Sequence, residues 1–116
     1  MPLQVFTSAP PLAASSQQTL LADVSSLLAA HFEKPERWVM TCLIPRLAMT
    51  FGGTTAPAAF VAVKNIGKMT PDVTAALSRA LCDRLARVLR VTADRIYIHF
   101  ENAVDYLWGW NGETFA

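Results

Sequence analysis

Residues 57–101 read PAAFVAVKNIGKMTPDVTAALSRALCDRLARVLRVTADRIYIHFE, and this stretch carries a complete β-α-β pattern. Pro57 to Ile66 is a run of β-forming residues. Thr70-Pro71-Asp72 has the features of a helix start. A threonine hydroxyl can cap the first turn, a proline sits where its missing N–H costs nothing, and an acid faces the positive end of the helix dipole. Val73, Leu77, Leu81, Leu85 and Val88 recur at helical spacing and predict the buried stripe, while Arg79, Asp83, Arg87 and Arg90 take the other faces. Arg95 to Glu101, RIYIHFE, closes the unit as a second strand.

The N-terminal half repeats the plan. Leu3 to Thr7 alternates as a strand does, and APPLAASS, with Pro10 and Pro11, interrupts it. From Ser16 to Phe32 the pattern is helical, with Leu20, Val24, Leu27, Leu28 and Phe32 on one face, Ser15 or Ser16 as the cap and Pro35 as the stop. Arg37 to Ile44 reads as a strand. KPERWVM in this half matches VTADRIYI in the other, and Pro2 and Pro57 head corresponding strands. The predicted fold is α/β (α+β), one domain over residues 1–116. It is a β-α-β-β-α-β pseudo-two-fold repeat, in which each crossover joins parallel strands with right-handed sense. Two such units make a four-stranded mixed sheet with both helices on one face. The opposite face then lies bare. With 53% hydrophobic and only 16% charged residues, further copies of the chain are the expected cover. The tail LWGWNGETFA is too apolar for a solvated end and is expected to dock on a neighbour.

Several function classes are disfavoured. A formal net charge of +1 gives no polyelectrolyte argument for nucleic acid. No apolar run approaches a membrane span, and no basic segment followed by an apolar stretch marks a signal peptide, so a cytoplasmic location is expected. Cys42 and Cys82 have no metal-binding spacing and read as buried free thiols, which suits a reducing compartment. FGGTT lacks the phosphate-loop pattern and reads as a turn. His31 and His99 are too far apart in sequence to suggest a metal site, and no cofactor is expected.

The ordered set MP at the start, then EKPE, MTFGGTTAP, IGKM, ADRIYIHFE and GWNGETFA, resembles the macrophage migration inhibitory factor family of the tautomerase superfamily, as a microbial-type member, over the whole chain. The resemblance implies a homotrimer and a cofactor-free keto–enol tautomerase of the phenylpyruvate or dopachrome type. Such an enzyme is an isomerase, formally an intramolecular oxidoreductase, acting on a small aromatic α-keto acid. Animal members are also secreted signalling proteins. A cytokine-like binding trimer with a vestigial pocket is therefore the alternative, and export without a signal peptide stays open.

The resemblance also assigns a site. With Met1 removed, Pro2 becomes a free secondary amine at the head of a strand and the expected general base. An ordinary α-amino group titrates at about 7.7–8.0. Burial and a nearby lysine both lower that value, toward the range where a base works at neutral pH. The plain alternative is a proline that merely starts a strand. Lys34 matches the family lysine that binds the substrate carboxylate; a lysine at a helix C-terminus is its structural alternative. Ile66 matches the isoleucine whose backbone N–H meets that carboxylate. Lys64 and Asn65 stand just before it, Lys64 in place of an animal histidine. Tyr97 matches a pocket tyrosine supplied by the adjacent subunit. His99 replaces an animal asparagine and shares the face of Tyr97 by strand periodicity; it could titrate near physiological pH. Trp38, Trp108, Trp110 and Phe115 suggest a flat apolar wall for an aromatic ring, or else interface packing. Where the animal factor carries a CxxC this chain reads Pro57-Ala58-Ala59-Phe60, which excludes thiol oxidoreductase chemistry through that motif. Leu12 stands where the animal factor has a loop arginine implicated in receptor contact, so receptor binding has no support in the sequence.

Overall fold

The computed structural model describes residues 1–116. Six strands and two long helices follow in the order β1 (Pro2–Thr7), α1 (Ala14–Phe32), β2 (Met40–Ile44), β3 (Ala59–Ile66), α2 (Pro71–Leu89), β4 (Ile96–Ala103), β5 (Gly109–Trp110) and β6 (Glu113–Thr114). The first four strands form one mixed sheet in the order β2-β1-β3-β4, and β5 and β6 form a separate hairpin. β1 and β2 are parallel, as are β3 and β4. The two β-α-β units meet through antiparallel β1 and β3, with Leu3 opposite Val63 and Val5 opposite Val61.

The repeat holds at a constant offset in numbering. Pro2 and Ala59 start β1 and β3, Ala14 and Pro71 start the helices, and Phe32 and Leu89 end them. Glu33 and Arg90 then take the left-handed conformation, with φ of 53° and 57°. One-turn 3₁₀ helices follow at Glu36–Trp38 and Ala93–Arg95. The counterpart of Pro2 is thus Ala59 rather than Pro57, which lies two residues before β3. Pro35 does not stop α1 either. The left-handed Glu33 does, as the amides of Glu33 and Lys34 fold back onto the carbonyls of Ala30 and Ala29.

Period-two alternation puts Leu3, Val5, Val61 and Val63 on one face of the sheet, where they meet Leu20, Val24 and Leu28 of α1 and Leu77, Leu81, Leu85 and Leu89 of α2. Both helices therefore cover the same face. The stripe on α2 ends one residue later than expected, at Leu89, which is buried, while Val73 and Val88 are only half-buried. The Thr70 hydroxyl accepts from the Val73 amide at 3.2 Å, as the sequence predicts. Neither Ser15 nor Ser16 caps α1. Ala13 holds that position without a side-chain bond, and the Gln17 side chain instead donates through Nε2 to the Leu12 carbonyl at 2.8 Å.

The expected strand from Arg37 to Ile44 divides in two: Glu36–Trp38 is a 3₁₀ turn and only Met40–Ile44 is extended. The tail touches its own chain, placing Trp110 and Phe115 edge-on to Trp38 at centroid distances of 4.8 and 5.7 Å, while residues 109–116 stay exposed. Cys42 and Cys82 are free, and half-buried rather than buried. The sheet face away from the helices is left largely open, and Phe60, Tyr97 and Met40 are exposed on it. No helix is long and apolar enough to cross a membrane.

Candidate active site

The start of β1, the exit of α1 and the end of β3 converge at one end of the sheet. The convergence follows from topology. Parallel pairing sets Pro2 beside Met40 of β2, and antiparallel pairing brings the C-terminal end of β3, with Asn65 and Ile66, alongside the N-terminal end of β1. The left-handed closure of α1 then aims Lys34 back over the same end. A cavity of about 470 Å³ opens there.

Lys34 is held by a defined set of bonds. Its ammonium donates to Asn65 Oδ1 at 2.8 Å and to the Ile66 carbonyl. Asn65 has no exposed surface, and its Nδ2 donates to Asn102 Oδ1 at 3.3 Å. An ammonium has three protons. Two are committed within the chain, which leaves one for an anion in the cavity. Burial holds the Lys34 pKa below its ordinary 10.5, because the charged form loses hydration there.

Met1 is nearly buried, at 6% exposure. Its terminal nitrogen donates to the Trp38 carbonyl at 2.7 Å, and its carbonyl accepts from the Met40 amide at 3.0 Å. The terminal amine is pushed below its ordinary 8.0, first by burial and then by the charge on Lys34. The Met1 amine therefore gives up its proton more readily than one in water.

The aromatic wall comes from two segments. Trp38 belongs to the 3₁₀ turn; Trp108, Trp110 and Phe115 belong to the tail hairpin and the residues flanking it. Trp110 and Phe115 are also near-parallel to one another, with planes 23° apart. Of the residues singled out in the sequence, Pro2, Lys34, Ile66, Trp38, Trp108, Trp110 and Phe115 line this one cavity. Asn65 lies beneath it as the support of Lys34. Lys64 is exposed on the open sheet face, opposite Glu101 in register. Tyr97 and His99 lie on that open face too, away from the cavity of their own chain. Tyr97 is 63% exposed and packs against Phe51 at a centroid distance of 4.8 Å, beside a separate hollow of about 260 Å³.

Sequence reasoning missed Met1, Arg37, Val39, Met40 and Gly109 as lining residues. Read as a strand, Arg37 and Val39 face away from Trp38. The 3₁₀ turn breaks that alternation, so the three successive residues all reach the cavity. The Pro35 that precedes this turn was the available signal. No Asp or Glu lines the cavity, which combines cations with a broad apolar wall. That arrangement suits an anion carrying a flat ring.

Comparison with known proteins agrees with this architecture. The family model described as macrophage migration inhibitory factor matches residues 1–116. The Xenopus tropicalis macrophage migration inhibitory factor is 36% identical over 102 residues, spanning 88% of this chain and 89% of that protein. The Rattus norvegicus protein of the same name is 32% identical over 116 residues, covering both chains in full. The crystal structure of the macrophage migration inhibitory factor homologue from Prochlorococcus marinus is 40% identical and superposes with a TM-score of 0.93 over the whole of both chains. The match in sequence along the full chain and the match in fold lead to one conclusion: this chain belongs to the macrophage migration inhibitory factor family.

Proposed function

We propose that the chain is a cofactor-free keto–enol tautomerase acting on small aromatic α-keto acids of the phenylpyruvate type, with Pro2 as general base once Met1 is removed. The reading rests chiefly on one observation: Pro2, at the head of β1, shares a cavity with Lys34, in surroundings that lower the pKa of a terminal amine. In this reaction the neutral Pro2 nitrogen takes a proton from the carbon beside the substrate carbonyl. The resulting enolate is reprotonated at its oxygen or at carbon. The remaining proton of Lys34 holds the substrate carboxylate, assisted by the backbone N–H of Ile66, and the wall of Trp38, Trp108, Trp110 and Phe115 takes the ring.

The active unit in this proposal is a homotrimer. Its support is the uncovered sheet face, where Tyr97 and His99 stand exposed at the register positions opposite Phe60 and Ala62. Assembly would bring Tyr97 of one copy toward the cavity of the next. Lys64 on the same face adds positive charge for an acidic substrate.

A second reading applies to protein that keeps Met1, whose side chain is buried at the cavity and whose terminal nitrogen donates to the Trp38 carbonyl. While Met1 remains, the Pro2 nitrogen is an amide without a basic lone pair. The cavity is then a binding site alone, as in a signalling trimer with a vestigial pocket. The experiment that separates the readings is the phenylpyruvate enolisation rate of Met-processed against Met-retained protein, each verified by intact mass. The processed form should be faster by about 10²–10⁴-fold, the usual contribution of a general base. Equal rates would place the base elsewhere, and no turnover by either form would favour the binding reading.

A further inference from the structure

Arg37 plays no part in the reaction proposed above, yet it lines the same cavity. Its side chain is exposed and forms no salt bridge; the ion pairs of the chain are Arg84 with Asp23 and Arg87 with Asp83. The guanidinium is nonetheless located. Its central carbon lies 5.4 Å from the centroid of the Trp38 ring, within cation–π range. Trp38 is in turn fixed edge-on against Trp110 and Phe115. The cavity thus presents two cations of different kinds. Lys34 is half-buried and tied to Asn65 and Ile66, while Arg37 stands at the rim on the aromatic wall. No carboxylate of the chain lines the cavity to neutralise either one.

We propose that the site selects aromatic ligands with two anionic groups: a carboxylate held by Lys34, and a second acidic group, carried on the far side of the ring, held by Arg37. Two features give the selection its physical basis. A guanidinium presents a planar fork of donors that matches a carboxylate in two bonds. A ring lying along Trp38, Trp110 and Phe115 carries its substituents toward the rim, where Arg37 waits. A ligand with one charge leaves Arg37 to water. This inference rests on the proposed placement of the first carboxylate at Lys34, and it makes Arg37 a specificity-determining residue.

All three tryptophans of the chain line the cavity, so quenching of their fluorescence reports its occupancy without any need for turnover. The probes are 3-phenylpropanoate and the same molecule with a second carboxylate para on the ring, neither of which can enolise as a keto acid does. Wild-type protein, with its N-terminus verified by mass, should bind the diacid about fivefold more tightly, as expected for one solvent-exposed ion pair of about 1 kcal/mol. The preference should shrink as salt rises. In Arg37→Gln the preference should vanish, with most of the loss falling on the diacid and little on the monoacid. Equal wild-type affinities, a preference that survives in Arg37→Gln, or no quenching by either probe would each overturn the proposal. Phenylpyruvate enolisation measured on the same samples tests the catalytic reading separately. Binding with an Arg37-dependent preference but without turnover refutes the tautomerase and leaves the inference standing, and turnover without the preference does the reverse.

Discussion

Replacing Asn65 with alanine removes one of the two acceptors that hold the Lys34 ammonium. The lost bond is short, at 2.8 Å, and Asn65 has no exposed surface, so water cannot take over without opening the structure. A hydrogen bond to a charged group is worth about 1.5–3 kcal/mol. Lys34 is itself only half-buried, which puts the expectation at the lower end, about 1.5 kcal/mol. The second bond of Asn65, to Asn102 at 3.3 Å, is longer, and Asn102 is exposed, so its loss adds little. For a domain of about 100 residues each kcal/mol lowers Tm by about 4–8 °C, which gives a fall of about 10 °C for Asn65→Ala. Lys34→Met keeps most of the aliphatic stem but strands the Asn65 carbonyl without its donor, so it should also destabilise. The interaction itself emerges from the double-mutant cycle, in which losses confined to one side chain cancel. The expected coupling is about 1.5 kcal/mol, read from urea unfolding at one fixed protein concentration, because assembly would make the midpoint depend on concentration. A coupling below about 0.5 kcal/mol, the usual error of additivity, would show that Asn65 does not hold the lysine.

Two further outcomes follow from the same geometry. The depressed Lys34 pKa means that, between its folded value and 10.5, the unfolded chain binds more protons than the folded one. Stability of wild type relative to Lys34→Gln should therefore rise with pH across that window and stay level at lower pH, where both states hold the proton; urea midpoints at neutral and alkaline pH that keep a constant difference would contradict this. Arg95 donates to the carbonyls of Phe51, Thr54, Ala56 and Pro57, so Arg95→Gln should release the segment from Phe51 to Pro57. Hydrogen exchange at the Phe51 and Thr54 amides, which bond to each other's carbonyls, should then quicken by at least tenfold while the helices stay protected, and unchanged exchange would refute the clasp.

The alternation of β1 and β3, the leucine stripe of α2 and the Thr70-Pro71-Asp72 start were all legible because each depends on neighbours close in sequence. What was not legible was set by backbone geometry or by distant contacts. Ser15 and Ser16 looked like caps, but α1 begins before them, at Ala14. Trp38 looked like a strand residue because aromatics favour strands, yet tertiary contacts with Trp110 and Phe115 hold it in a turn. The tail's apolar character was readable, but its partner on the same chain was not. The family resemblance supplied Lys34 and Ile66 as a pair. Only the antiparallel register of β1 and β3 explains why residues so far apart in sequence meet.

The internal repeat supplies a control for which of these residues the fold itself requires. At the offset that relates Pro2 to Ala59 and Glu33 to Arg90, Lys34 corresponds to Val91 and Trp38 to Arg95. The second half makes the same strand start, the same left-handed helix exit and the same 3₁₀ turn with Ala59, Val91 and Arg95. Ala59 and Val91 are buried and apolar, and Arg95 ties down a loop through backbone carbonyls. A proline at the strand head, an ammonium after the helix and a tryptophan in the turn are therefore not demanded by the backbone. In the first half Lys34 also carries a cost that its counterpart Val91 avoids, since burial disfavours the charged ammonium. Strain or lost solvation that the fold does not need is most economically explained by chemistry at the site. The same comparison separates the two ends of the sheet. The head of β3, with Ala59 and Tyr97, lines a smaller hollow of about 260 Å³ without a lysine. The head of β1 opens a cavity of about 470 Å³, because only that half gives up apolar burial for a lysine and an open aromatic wall.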